Sequence, residues 1–293
     1  MRWELLREEE FTEAIKKSSG LCILPIGCLE KHGQHLPVGT DYLETMSIID
    51  SALEVEDAVL FPTGAWLGEV SCFHACKDPE EKRLRGCVSI KQETLLKILG
   101  ELCDEIGRNG FNKVLIVNGH GGNTAMLKHF LRMQSYESKP YATLLTSAFA
   151  FSAIEPKRLI KTVKQNKRSF SYLTDEDMET LTRFAESGCG GGHADIRETS
   201  LIMDIDESLV APDRYEAESG LSEGRTDALG KLGVEYSGGW LSDFPNSYEA
   251  YPPKGASPTL GRAMKEVCRD RLVTIIRAVK RDEEAVKAAK ILT

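Results

Sequence analysis

Short apolar runs alternate with stretches of helical periodicity along the chain, and that alternation predicts an α/β architecture. Leu21–Ile26 and Ala58–Phe61 read as buried strands, the second stopped by Pro62. In Lys91–Asn109, the residues Leu95, Leu99, Leu102 and Ile106 recur at three- and four-residue steps, which predicts an amphipathic helix ended by Gly110. Lys113–Val117 is a β-branched strand, Thr124–Gln134 a predicted helix, and Tyr141–Thr146 a predicted strand after Pro140. This rhythm implies a mostly parallel sheet with right-handed crossovers. Arg262–Lys290, with Val267, Leu272, Ile275, Ile276 and Val279, is predicted to close the chain as one charged amphipathic helix. Gly64–Gly86 and Gly220–Gly255 break the rhythm and read as lids, subunit contacts or solvated insertions. With no repeat, low-complexity tract or linker, residues 1–293 are expected to form a single domain.

A formal charge of −8 and a pI near 5.4 argue against a nucleic-acid partner bound by phosphate neutralisation. No apolar run is long enough for a transmembrane helix, so no membrane partner is expected. Met1–Glu10 carries no apolar signal region, which predicts a cytoplasmic location. The eight cysteines contain no Cys-x-x-Cys pair and read as reduced thiols. Cys72-Phe73-His74-Ala75-Cys76 could form a soft metal site. With no second ligand pair nearby, small buried or loop thiols are the simpler reading.

Four of the six histidines fall in three short segments. The first follows the strand Leu21–Ile26 and holds Glu30, His32, His35 and Asp41. In an extended chain Glu30 and His32 face the same way, and Asp41, beyond Gly39-Thr40, can fold back onto that wall. His35 reads as a hydrogen-bonded supporting histidine rather than a ligand. The second segment, Asn118-Gly119-His120-Gly121-Gly122-Asn123, leaves the carboxyl end of a strand, where open α/β sheets bind ligands. Its glycines leave the backbone bare beside His120, so Gly121, Gly122 and Asn123 are candidate substrate-binding residues. The third, His193-Ala194-Asp195-Ile196-Arg197-Glu198-Thr199-Ser200, adds His193 behind a glycine run and Glu198 at the start of a predicted helix Thr199–Ile205. Glu198 could also be merely an acid favoured by the helix dipole.

Glu30, His32, Asp41, His120 and Glu198 offer two imidazoles and three carboxylates. One tetrahedral catalytic zinc needs only about three protein ligands, whereas five suit two metals roughly 3.5–4 Å apart with one bridging carboxylate. If Glu30 pairs with His120 and His32 with Glu198, Asp41 is left to bridge. Two divalent cations against three carboxylates leave one positive charge, which a bridging hydroxide would neutralise. Zinc, manganese and iron all accept such mixed donors.

These segments resemble the creatininase (creatinine amidohydrolase) family. The likeness rests on Leu24–Asp41, on Gly110–Asn123 and on His193–Ser200, in order and at family-like separations, and covers roughly residues 15–210. The resemblance implies a three-layer αβα sandwich, a two-metal hydrolase and a homo-oligomer, commonly a hexamer. By position, Glu30, Asp41 and His120 would hold one metal, and His32, Asp41 and Glu198 the other. His193 matches the histidine that shuttles a proton to the leaving nitrogen. The departures matter too. Creatininase itself reads His-Tyr-Glu where this chain has His120-Gly121-Gly122, and it places a tryptophan where this chain has Cys189. The usual Pro-Gly-Thr is replaced by Arg85-Gly86-Cys87. Creatinine is therefore not the expected substrate. Other members deformylate a formamido-pyrimidine nucleotide or trim a peptide.

The expected activity is hydrolysis of a carbon–nitrogen bond in a small cyclic or linear amide, by a metal-bridging hydroxide with His193 as the general acid. Two-metal phosphoester cleavage is the rival chemistry. It usually wants cationic clamps, and only Lys31 and Arg197 lie beside the ligands in sequence. A non-catalytic metal- or ligand-binding protein on the same scaffold is the other alternative.

Overall fold

The strand residues carry the layering in their alternation. Leu21 and Ile23 of one strand share a core with Leu115 and Val117 of another, while Cys22, Leu24 and Ile26 share a second core with Val114 and Ile116. A sheet apolar on both faces must be covered on both. The computed structural model describes residues 1–70, 84–149, 153–187, 192–235, 239–249 and 252–291. In chain order its elements are α1 (Phe11–Lys17), β1 (Leu21–Ile26), α2 (Thr40–Leu53), β2 (Val59–Leu60), α3 (Gln92–Arg108), β3 (Lys113–Asn118), α4 (Asn123–Gln134), β4 (Ala142–Ser147), α5 (Pro156–Gln165), α6 (Asp175–Glu186), α7 (Ile196–Asp206), α8 (Asp227–Gly230), α9 (Pro258–Arg281) and α10 (Glu284–Ile291).

The strands form one parallel sheet in the order β2-β1-β3-β4. One face packs on Ile48 and Ile49 of α2, Leu159 of α5, Leu181 of α6, Leu201 of α7 and Met264, Leu272 and Ile276 of α9. The other packs on Leu95, Leu99, Cys103 and Ile106 of α3 and on Met126, Leu127 and Phe130 of α4. The fold is thus a three-layer αβα sandwich. Chain order reverses between β1 and β3, whose carboxyl ends open one crevice. That is where ligands bind in open parallel sheets.

Three elements depart from the sequence expectations. The helix α2 has no counterpart among them, because its buried face mixes Thr40, Asp41, Glu44 and Thr45 with Ile48, Ile49 and Ala52 and so carries no clean apolar stripe. The closing helix begins four residues earlier than expected, at Pro258, with Ser257 Oγ capping Leu260 N. It also breaks at Asp282, whose backbone is extended and whose Oδ1 accepts from Glu284 N and Ala285 N, so the C-terminus is two helices. The helix expected at Thr199–Ile205 starts at Ile196, because Asp195 caps it through Arg197 N at 2.7 Å and Glu198 N at 3.3 Å. Cys72, His74, Cys76 and Cys189 lie outside the described residues, as does much of Gly64–Gly86. Among the described residues no helix is long and apolar enough to cross a membrane.

Candidate metal centre

β1 ends at Ile26 and delivers Cys28, Glu30 and His32 to the crevice. Asp41 then sits in the first turn of α2, where the positive end of the helix dipole favours a carboxylate. β3 delivers His120, whose turn is pinned by Asn118: its Nδ2 donates to His120 O at 2.7 Å and its Oδ1 accepts from His120 N at 3.2 Å. Glu198, in the first turn of α7, accepts from Ala194 N at 2.6 Å. The helix-start role weighed for Glu198 is therefore real, yet the same Oε2 lies 3.8 Å from His32 Nε2.

Asp41 is central to the geometry. Its Oδ2 is 2.9 Å from His120 Nδ1, and its Oδ1 is 3.5 Å from His32 Nε2, so the two oxygens face different imidazoles. Glu30 Oε2 is 3.5 Å from His120 Nδ1 and 3.7 Å from His193 Nδ1. Donor atoms of Glu30, Asp41 and His120, with Cys28, lie within 4.8 Å of one another, as do those of His32, Asp41 and Glu198. Asp41 belongs to both groups. A third grouping joins Glu30, His32 and His193.

Charge explains why such a cluster calls for cations. All five side chains are buried. Burial alone would lower the His32 and His120 pKa values. The surrounding carboxylates, Asp41 first, instead hold His32 up to about 10 and His120 up to about 9. Burial would raise the Asp41 carboxyl, but His120 and His32 hold it well below the usual range. Glu198 is pushed up to about 7 by burial, against the opposing pull of His32. Protons on imidazoles here balance negative charge that divalent ions would balance better. Glu30 Oε2 and His32 Nε2 are buried with no hydrogen-bond partner, and two such orphaned atoms aimed into one cluster fit metal ligation.

The remaining expected residues sort by contact. His193 Nε2 is 2.8 Å from Lys31 O, and because a carbonyl only accepts, Nε2 carries the proton and Nδ1 faces Glu30 as the free lone pair. Burial and the neighbouring His32 lower its pKa, so the ring is neutral. His35 stands outside all three groups. Its Nε2 meets Ala194 O at 3.1 Å and Thr199 Oγ1 at 3.3 Å, and burial lowers its pKa to about 4. Gly121 and Gly122 line a cavity of about 460 Å³ above the cluster. Asn123 departs from its expected place at the substrate. It is fully buried, its Oδ1 accepts from Glu69 N, and its Nδ2 donates to Gly27 O and Asn118 Oδ1, so its side chain is used in joining the two loops.

The bare backbone at Gly119, which also lines the cavity, serves the fold. A Cβ there would lie 1.6 Å from Thr45 Oγ1 and 2.8 Å from Asp41 O, so α2 presses its first turn directly on the turn after β3. Gly119→Ala is expected to push α2 back, separate Asp41 from His120 and cost roughly 1–3 kcal/mol of stability, as overpacking does. Thermal melting paired with metal analysis checks this: a variant with wild-type melting and metal content would refute the close-approach argument.

Several side chains here escaped the sequence reading. Cys28 Sγ contacts Asp41 Oδ2 at 2.9 Å. The two-residue spacing that grouped Glu30 with His32 extends back to Cys28, so a signal existed. Glu44, three residues after Asp41, is fully buried with no partner on either carboxylate oxygen. Burial, with Glu198, Asp41 and Asp195 nearby, pushes its pKa well up. Trp240 and Glu249 come from the irregular late segment, where nothing local marked them.

Comparison with known proteins agrees with this geometry. The family profile described as creatininase, creatinine amidohydrolase, matches residues 4–276. The mycofactocin precursor peptide peptidase of Mycobacterium tuberculosis (strain CDC 1551 / Oshkosh) is 29% identical over 119 residues, 39% of this chain and 45% of that protein. The 2-amino-5-formylamino-6-ribosylaminopyrimidin-4(3H)-one 5'-monophosphate deformylase of Methanococcus voltae (strain ATCC BAA-1334 / A3) is 34% identical over 107 residues, 36% of each chain. The chain thus spans less than half the length of these curated relatives. A solved structure of a manganese creatininase superposes with a TM-score of 0.68 at 18% identity, covering 96% of this chain and 99% of that one, and so shares the fold. With the profile matched over nearly the whole chain and that fold around the His- and carboxylate-lined crevice, the chain belongs to the creatininase family.

Proposed function

We propose that this protein hydrolyses a carbon–nitrogen bond of a small amide, with two divalent ions held by Glu30, Asp41 and His120 and by His32, Asp41 and Glu198. The observation that carries the reading is Asp41, whose two oxygens face two different imidazoles. Bound there, a pair of divalent ions supplies the chemistry that lets water act as a nucleophile near neutral pH and polarises a carbonyl. His193 supplies the proton transfer. Its Nδ1 lone pair takes the proton released as water attacks the carbonyl carbon, and returns it to the departing nitrogen. The Lys31 carbonyl on Nε2 fixes the ring so that Nδ1 points into the crevice.

Amide chemistry is favoured over phosphoester cleavage by where the nearby cations go. Lys31 Nζ is paired with Glu218 at 2.6 Å, and Arg197 Nε with Asp195 at 2.8 Å. Among the described residues no lysine or arginine lines the cavity, so none of these residues clamps a phosphoryl group there. The named activities of the relatives, on a peptide and on a formylamino compound, point the same way. A panel of amides, formamides and short peptides assayed beside phosphoesters, on protein loaded with zinc or manganese, is the test. Turnover confined to the amide set is expected; turnover confined to phosphoesters would overturn the assignment. The expectations of a cytoplasmic homo-oligomer and a single domain over residues 1–293 stand as part of the same proposal.

A further inference from the structure

The cavity has two unlike halves. Its floor is the ionisable cluster of Glu30, Asp41, His120 and Glu198, while Trp240, Leu241, Val70 and Leu84 give it an apolar side. The Trp240 ring meets His193 edge-to-face at 5.1 Å and 69°. The contact is held from three directions. Trp240 Nε1 donates to the Glu249 carboxylate. The Phe244 ring stacks on the indole at 5.4 Å and 22°. The backbones of His193 and Glu249 exchange both hydrogen bonds, at 2.7 and 3.0 Å, in an antiparallel bridge that carries the late segment on the His193 segment. That bridge needs Gly192, where a Cβ would fall 1.9 Å from Glu249 O.

We propose that Trp240 determines substrate specificity, by taking a planar unsaturated group attached to the amide carbonyl against its indole. The inference rests on the proposed amide hydrolysis and adds to it a substrate class. An indole has one hydrogen-bond donor and no acceptor. With that donor spent on Glu249, Trp240 offers the cavity only hydrocarbon and π surface. A floor of ligating carboxylates and imidazoles recognises the carbonyl end. A rigid aromatic wall beside His193 recognises what is attached to it, and its fixed position spares the cost of ordering a loop on binding. A cavity of about 460 Å³ holds a substrate with one ring or a comparable flat group.

Two hydroxamates on zinc-loaded protein, titrated calorimetrically, separate this inference from the reading beneath it. Hydroxamates chelate metal through two oxygens, so acetohydroxamate reports the metal centre alone, and benzohydroxamate reports the centre plus a planar group. Wild type is expected to bind benzohydroxamate roughly tenfold more tightly than acetohydroxamate, the scale of an aromatic contact together with its burial. Trp240→Phe should keep that preference, because the ring remains although the donor is gone. Trp240→Leu should lose it while binding acetohydroxamate within about twofold of wild type. If Trp240→Leu fails to fold, Trp240→Ala and the wild-type preference itself still decide. A wild type without preference, or a preference that survives loss of the ring, would overturn the inference. Failure of both hydroxamates to bind zinc-loaded wild type would overturn the metal reading, and this inference with it.

Discussion

His193→Ala is expected to retain the bound metal of wild type and to lower turnover by ~10²–10⁴-fold, the usual worth of a positioned general acid–base group. The five donors around Asp41 form two groups without His193, so its loss leaves both intact. The imidazole spends Nε2 on Lys31 O and has only Nδ1 to offer, held neutral by burial and by His32. A neutral ring with one free lone pair is suited to accept a proton and pass it on. The third grouping, of Glu30, His32 and His193, defines the competing role of metal ligand. Elemental analysis of the variant decides between them: metal content falling with activity would move His193 into the ligand set, and unchanged turnover would remove it from the mechanism. The backbone bridge to Glu249 does not depend on the imidazole, so the fold should survive the substitution.

Asp41→Asn is expected to be the most damaging conservative change in the chain. The substitution preserves shape but replaces the carboxylate with a neutral amide, whose nitrogen donates hydrogen bonds and cannot ligate a cation. His32 and His120 both lose their anionic neighbour, and either amide orientation turns the nitrogen toward one of them. Metal affinity should fall by more than the ~10–100-fold seen when an outer partner of a ligand is lost, and activity should fall with it. Loss of the Asp41 charge would also remove the largest force raising the pKa of both histidines. In metal-free protein, NMR titration should show His32 and His120 losing their protons at lower pH than in wild type. Unchanged histidine titration would contradict the electrostatic account of the cluster.

The layering of the fold was legible because β1 and β3 are continuous apolar runs and α3 has a clean stripe at Leu95, Leu99 and Ile106. The helix α2 was not, for a reason tied to the site: its first turns bury Asp41, Glu44 and Thr45 against the crevice, so the helix positioning the central carboxylate lacks the pattern that announces a helix. The side chains that meet in the crevice could be grouped from sequence because they lie in three short segments, Glu30, His32 and Asp41 after β1 and into α2, His120 after β3 and Glu198 in α7. Asn123 stands among the candidate substrate residues because sequence cannot tell a polar residue facing a cavity from one tying two loops together, as its hydrogen bonds do here. The pairing of Trp240 with His193 was invisible for a related reason. It depends on a bridge between segments far apart in sequence, made possible by the missing side chain at Gly192.

A carboxylate shared between two metals fixes the number of ions the crevice should hold, and metal stoichiometry reads that number. Metal-free protein should be titrated with zinc or manganese, and bound metal measured by elemental analysis against chain concentration after removal of excess. Wild type is expected to saturate at two ions per chain, and Asp41→Asn at sharply less. Saturation at one ion in wild type, or a stoichiometry that Asp41→Asn leaves unchanged, would contradict the shared carboxylate.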